Sequence, residues 1–391
     1  MLLYRHGRLL LCTFVAILFV TASMMLISFN YTNSYLIKKF ESICTLNSFI
    51  KTAELVETTI KTTSSTTIKT TTSASPENHI HCYRENVESL PDISDFNPRP
   101  GKSIFFHETS CHSFDHGKIV INSRQACAVE SAAKMNPDLD VYLLYASPGI
   151  FRFEGDESDH FLRSLLSYKN VHILHLNYEN YVKGSPVETL WTSGKIEKSK
   201  YVVSHASDVL RYLTLWKYGG IYLDLDVVVI KSLQDLPLNY AGLQSPNEVA
   251  AGVVSFEADG FGHSLADNCV NRLKNKFNGQ VWGSNGPVIV SSVMKESCNV
   301  TIASEMLTKN CTGLTMYPME TFYPIPYSLW RKYFREEDFN EVINKTKNTY
   351  VLHTWNKLSE GERIPLNKNP AYLHFAKLRC PKVVEACKTY F

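Results

Sequence analysis

Apolar residues recur along this chain with two spacings. Short unbroken apolar runs at 103–107 (SIFFH), 141–145 (VYLLY) and 171–176 (VHILHL) have the length of strands buried on both faces. Between the first two, Ala126, Val129, Ala132 and Ala133 recur at helical spacing within residues 123–135. A second helix is expected over 207–218, with Ser207 as its N-cap and Gly219 and Gly220 ending it. Residues 221–223 then re-enter the sheet. Strand–helix–strand alternation predicts an α/β fold with a mainly parallel sheet, covered on both faces. Ligands of such sheets bind beyond the carboxyl ends of the strands. No internal repeat and no large break divides residues 98–391.

The N-terminal pattern is different in kind. Residues 9–29 are 21 positions without a charge, long enough to cross a bilayer. The run outlasts the apolar part of a cleaved signal, and MMLISF at 24–29 is bulky where cleavage would fall. An uncleaved anchor is therefore expected in preference to a signal peptide. Arg5, His6 and Arg8 favour a cytoplasmic N-terminus, although Lys38 and Lys39 follow on the far side. Residues 51–76 hold 14 Ser or Thr among 26 and show no apolar period. That is the composition of a disordered tether or an O-glycosylated stalk. The expected order is a cytoplasmic tail 1–8, an anchor 9–29, a lumenal stem 30–97 and a globular body 98–391.

A formal net charge of +2 over 391 residues argues against nucleic acid as a partner, since phosphate binding leaves a strong basic excess. Acceptor triplets for N-glycosylation start at Asn299, Asn310 and Asn344, with Asn30 too near the anchor for use. Nine cysteines follow the anchor and no C-x-x-C pair occurs, so disulfides are expected and zinc ribbons are not. Cys298 and Cys311 are 13 apart beside two glycosylation acceptors, and are expected to pair across an exposed loop.

The candidate chemistry lies in KYGGIYLDLDVVVIKSL at 217–233. Two aspartates interrupt a run that otherwise reads as buried strand, and a buried carboxylate is costly unless paired or metal-bound. Asp208 and Arg211 are three apart and share a helix face. Asp224 and Asp226 fall where the strand leaves the sheet; in extended chain, residues two apart point the same way. Two convergent carboxylates suit a hard divalent cation that bridges phosphates. No G-x-x-x-x-G-K-[ST] loop is present, so a P-loop kinase or ATPase is not indicated.

The stretch S-D-x-x-R-x-x-x-L-x-x-x-G-G-x-Y-x-D-x-D at 207–226 resembles the D-x-D signature of retaining, nucleotide-sugar-dependent glycosyltransferases of the GT-A fold. VESAA at 129–133, WGSNGPV at 282–288, FYPIP at 322–326 and VLHTWNK at 351–357 narrow the likeness to the alpha-1,4-glycosyltransferases. The resemblance spans about residues 100–391. It implies a GT-A-like nucleotide-sugar-binding domain in a Golgi type II membrane enzyme. The implied reaction moves galactose or N-acetylgalactosamine from a UDP-sugar to a glycosphingolipid; transfer of N-acetylglucosamine to glycoprotein O-glycans is the alternative. It assigns metal binding to Asp224, Asp226 and His353, a set that should prefer manganese because imidazole suits it better than magnesium or calcium. It assigns catalytic roles to Asp224, Asp226, Asp208 and Asn285. Donor contacts fall to Phe105, His107, Thr109, Asp208, Arg211, Tyr222 and Gly286. One departure stands out: Ala251 occupies a position where the family often has Asn.

Other readings compete at several positions. His107, Cys111, His112 and His116 could suggest zinc, although their spacing matches no standard site. His79, His81 and Cys82 are expected to be solvated at the end of the stem. The aromatic run at 317–333 is either a sugar-stacking platform or core. Glu257 and Asp259 follow a strand and either approach an acceptor or sit in a solvated turn. At the level of function, a sugar-nucleotide-binding module without transfer and a metal-dependent phosphohydrolase are the other classes.

Overall fold

The computed structural model describes residues 79–391. The anchor and most of the stem expected before them lie outside the described residues, as does Asn30. Among the described residues no helix is long and apolar enough to cross a membrane.

The body is mixed α/β. Its strands are β1 (Ser103–Glu108), β2 (Asp140–Tyr145), β3 (Val171–His175), β4 (Gly220–Leu223), β5 (Val227–Val229), β6 (Tyr240–Ser245), β7 (Glu248–Phe256), β8 (Thr315–Tyr317) and β9 (Val351–His353). The longer helices are α1 (Ser123–Met135), α2 (Glu157–Leu166), α3 (Val202–Tyr218), α4 (Gly260–Lys276), α5 (Pro287–Cys298) and α6 (Ala371–Arg379). Seven strands form one sheet in the order β3-β2-β1-β4-β7-β6-β8. Every pairing from β3 to β4 is parallel, and β7 alone runs against its neighbours. The mainly parallel sheet read from the sequence is therefore present, with one reversed strand that its apolar run did not betray.

Side chains alternate across the sheet. Ile104 and Phe106 enter one core with α1, α2 and α6; Phe105 enters the other with α3, α4 and α5. The chain leaves β1 for β2 and β3 on one side and returns as β4 on the other. That reversal opens a crevice at the carboxyl ends of β1 and β4, the place where doubly wound sheets bind ligands.

Two local expectations are corrected. Helix α3 begins five residues before Ser207, which therefore sits inside the helix and caps nothing. Cys82 is not solvated: it is fully buried and bonded to Cys111. With Ile80 and Tyr83 also buried, the packed body takes in residues that the sequence assigned to the stem.

Cys298 pairs with Cys311, as the spacing implied, and Cys127 with Cys380 across 253 residues. Among the described residues Cys269 and Cys387 are free, and both are buried. Asn299, Asn310 and Asn344 are all exposed. Peptide mapping without reduction should recover the three linked pairs, and separate Cys127 and Cys380 thiols would contradict this packing. Removing the Cys127–Cys380 link should be the most costly of the three single losses, about 4–5 kcal/mol read from a urea midpoint, because it closes the longest loop.

Candidate active site

The hinge from α3 into β4 builds half of the site. Gly219 and Gly220 have φ of 61° and 94°, in the left-handed region that favours glycine. A Cβ at Gly219 would lie 2.4 Å from Ala258 N, and one at Gly220 2.4 Å from Ser103 O. The hinge can thus turn the chain into β4 while passing tightly against the backbone after β7 and at the start of β1. This brings Arg211, on α3, above Tyr222, on β4, with the guanidinium 4.8 Å from the ring centre. Arg211 Nη2 lies 3.3 Å from both Asp208 Oδ1 and Asp224 Oδ1, while Nη1 donates to Ala251 O at 2.7 Å. The Ala251 contact is made by the backbone, so it does not depend on the side chain at that position. Tyr222 spends its hydroxyl on Asp224 Oδ1, at 2.7 Å.

The other half comes from a turn. Strand β4 ends at Leu223, and Asp224-Leu225-Asp226 hands the chain to β5, in a separate two-stranded sheet with β9. The carboxylates converge through this turn and not through the extended alternation expected from sequence. Asp224 N still donates to Gly252 O on β7. Strands β5 and β9 pair antiparallel with Val227 opposite His353. That register sets His353 Nε2 3.2 Å from Asp226 Oδ1 and 3.5 Å from Asp224 Oδ2. One donor atom from each of Asp224, Asp226 and His353 lies within 4.8 Å of the others.

These three residues fit a divalent cation. Two carboxylates and one imidazole form a mixed oxygen and nitrogen donor set. The space beside them is kept open by Gly252, where a Cβ would stand 2.7 Å from Asp224 Oδ2 and 3.0 Å from His353 Nε2. Asp226 is braced from the far side, its carbonyl accepting from Thr354 N and Oγ1 and its Oδ2 from Asn356 N.

Burial alone would raise the Asp224 carboxyl, but Arg211 and His353 overcome it and hold the group well below the usual carboxylate range. Burial, opposed by Arg211, pushes Asp208 up to about 7. For His353, burial works against the charged form, yet Asp226 and Asp224 outweigh it and the imidazole is raised above its ordinary value.

Gly286 also reaches this centre. A Cβ there would meet Asp208 Oδ1 at 2.5 Å, and its carbonyl accepts from Tyr212 OH. The remaining residues lie elsewhere. Phe105 is wholly buried, its ring stacked on Tyr142 and Tyr218, so its side chain faces the core. Asn285 is 0% exposed, with its amide clamped to the backbone N and O of Asn278, so in this structure it secures the loop beside Asp208. His107 is buried behind the site, 3.0 Å from Thr214 Oγ1, with burial lowering its imidazole to about 3. Thr109 is buried and ties the segment of Tyr83 to the body through its carbonyl.

The zinc reading at 107–116 is excluded by the Cys82–Cys111 bond. Glu257 accepts from Asn239 and follows β7 at the end of the sheet opposite Asp224, away from an acceptor. The aromatic run is mostly core: Phe322, Tyr323 and Tyr333 are buried, whereas Tyr327 is 57% exposed beside Trp355. Sequence reasoning missed Gly252, Thr354 and Asn356. Only an isolated glycine within an apolar strand hinted at the first.

An acidic pair at a switch point, flanked by a buried arginine and a histidine, defines a D-x-D nucleotide-sugar transferase site. The family description "Glycosyltransferase sugar-binding region containing DXD motif" matches residues 122–243, which carry Asp208, Arg211, Asp224 and Asp226. "Alpha 1,4-glycosyltransferase conserved region" matches 258–387, which carry His353. Lactosylceramide 4-alpha-galactosyltransferases of Pan troglodytes and Homo sapiens are each 33% identical over 297 residues, covering 75% of this chain and 79% of theirs. Alpha-1,4-N-acetylglucosaminyltransferase of Homo sapiens is 25% identical over 259 residues, 66% of this chain and 74% of its own. The chain belongs to the alpha-1,4-glycosyltransferase family.

Proposed function

We propose that this enzyme transfers galactose, or N-acetylgalactosamine, from a UDP donor to the 4-hydroxyl of the terminal sugar of a glycosphingolipid, with retention of the alpha configuration. The observation that carries the reading is the convergence of Asp224, Asp226 and His353 beside the Asp208–Arg211 pair. The 33% identity to lactosylceramide 4-alpha-galactosyltransferases supports the lipid acceptor and the galactose-type donor. The domain is of GT-A type, in the Golgi lumen, held to the membrane by residues 9–29 through the stem. A tethered enzyme meets lipid-borne acceptors at high effective concentration.

Manganese is the cation that Asp224, Asp226 and His353 would hold, and when bound it would neutralise the leaving diphosphate. Arg211 adds a fixed positive charge beside that position, oriented by Asp208, Asp224 and the Ala251 carbonyl. Asp208, pushed up to about 7 by burial, can meet a sugar hydroxyl as acceptor when ionised or as donor when protonated.

The test is a matrix assay of the full-length protein with manganese, three UDP-sugars (galactose, N-acetylgalactosamine, N-acetylglucosamine) and two acceptors, lactosylceramide and a mucin-type O-glycan. Galactose-type transfer to the lipid supports the proposal. N-acetylglucosamine transfer to the O-glycan would replace it with the function of the second relative. Donor binding without transfer would reduce the protein to a sugar-nucleotide-binding module.

A pH dependence follows from His353. Its raised pKa means that the metal-free site keeps a proton to higher pH than an ordinary histidine. A cation must displace that proton, so the half-activating manganese concentration should climb as pH falls, approaching about tenfold per pH unit. His353→Ala should need more manganese near neutral pH and above, and show a flatter climb as pH falls. Parallel curves for mutant and parent would remove His353 from the cation's ligands.

A further inference from the structure

The cation site has a support that nothing in the D-x-D pattern announces. Arg124 lies in the first turn of α1, where a positive charge opposes the helix dipole. It is 92% buried, yet among the described residues its hydrogen bonds go to neutral oxygens: Nη1 to Ser359 O at 2.6 Å, and Nη2 to Ser359 Oγ at 2.6 Å and Thr354 Oγ1 at 3.2 Å. The guanidinium also lies 5.3 Å from the Phe334 ring centre and 5.4 Å from that of Tyr372. A buried cation without a carboxylate partner is unfavourable unless its hydrogen bonds accomplish something an apolar side chain would not.

What they hold is the segment after β9. Thr354, which accepts from Arg124, donates both its N–H and its hydroxyl to the carbonyl of Asp226. Ser359 Oγ, the second acceptor, donates back to Thr354 O and closes the turn. Asn356, between them, donates its N–H to Asp226 Oδ2. Trp355 takes a left-handed φ of 58°, unusual for a residue with a side chain, so this turn needs ties from outside to persist. His353 immediately precedes it.

We infer that Arg124 is a positioning residue for the cation site, fixing Asp226 and His353 through Thr354 and the 354–359 turn. The inference rests on the reading of Asp224, Asp226 and His353 as cation ligands. Outer partners that orient ligands typically alter metal affinity by about tenfold or more when removed.

The test measures manganese binding to the full-length protein directly, from the paramagnetic resonance signal of the free ion, alongside transfer kinetics. Arg124→Lys keeps the charge and loses the two-armed fork. Thr354→Val removes the relay hydroxyl, one of Arg124's three acceptor contacts, while keeping the arginine side chain, and Thr354→Ser restores it. Arg124→Lys and Thr354→Val should each weaken manganese binding about tenfold, with acceptor KM unchanged and Thr354→Ser close to the parent. A lowered melting temperature in chelator with unaltered manganese affinity in both variants would reduce Arg124 to packing and overturn the inference. A parent protein that binds no manganese would instead sink the cation reading, and this inference with it.

Discussion

Asp226→Asn should abolish transfer and leave the fold in place. The exchange keeps the shape of a side chain that is 13% exposed, and the carbonyl of residue 226 remains held by Thr354. What disappears is one of two negative charges facing His353 and the cation position. Loss of a preorganised charge at a reacting centre commonly costs about 100-fold or more in kcat. Asp224→Asn should be at least as damaging to activity and harder on stability. Asp224 also neutralises Arg211, which is buried and has Asp208 as its other carboxylate partner at 3.3 Å. Breaking one side of a buried charge cluster is destabilising because the remaining charge stays desolvated. Transfer assays at limiting and saturating manganese, paired with thermal melts, separate the two effects. Near-parental turnover of Asp226→Asn at limiting manganese would refute the assignment of that carboxylate to the cation.

Gly252→Ala, the addition of one methyl group, should be nearly as severe. The new Cβ would stand 2.7 Å from Asp224 Oδ2 and 3.0 Å from His353 Nε2. Retreat is restricted, because residue 252 accepts from Asp224 N and its neighbour Val253 is paired with Leu223. The ligands must therefore move, and a misplacement of that size costs about 100-fold in rate. Overpacking also costs about 1–3 kcal/mol of stability. Gly242→Ala is the control, since its Cβ would meet Phe322 Cδ2 at 2.6 Å in the core. It should destabilise comparably while keeping its manganese requirement. If the two variants show the same manganese dependence, the glycine serves packing alone.

The positions that sequence reading judged well depend on their immediate neighbours. Asp208 and Arg211 share a helix face because they are three apart, and Gly219 with Gly220 mark the hinge because few other residues tolerate those backbone angles. Both statements need fewer than a dozen residues of context. At other positions the sequence showed the residue but not its environment. Phe105 stands in the strand where a nucleotide contact was expected, but the sheet alternation turns its ring into the core. Asn285 sits in a segment that reaches Asp208, yet its amide is consumed by Asn278.

By itself, then, the sequence determined the alternation of strands and helices, the acidic pair at the end of β4 with its helical partners, and the short Cys298–Cys311 ring. Only the tertiary structure decided that the carboxylates converge through a turn, that Gly252 leaves them room, and that Arg124 and Thr354 brace Asp226. It also set the distance from His353 to both aspartates. The physical reason is range. Helical and strand periodicities are imposed by backbone geometry within a few residues, whereas the meeting of β5 with β9 depends on which strand edges remain free once the whole sheet has packed.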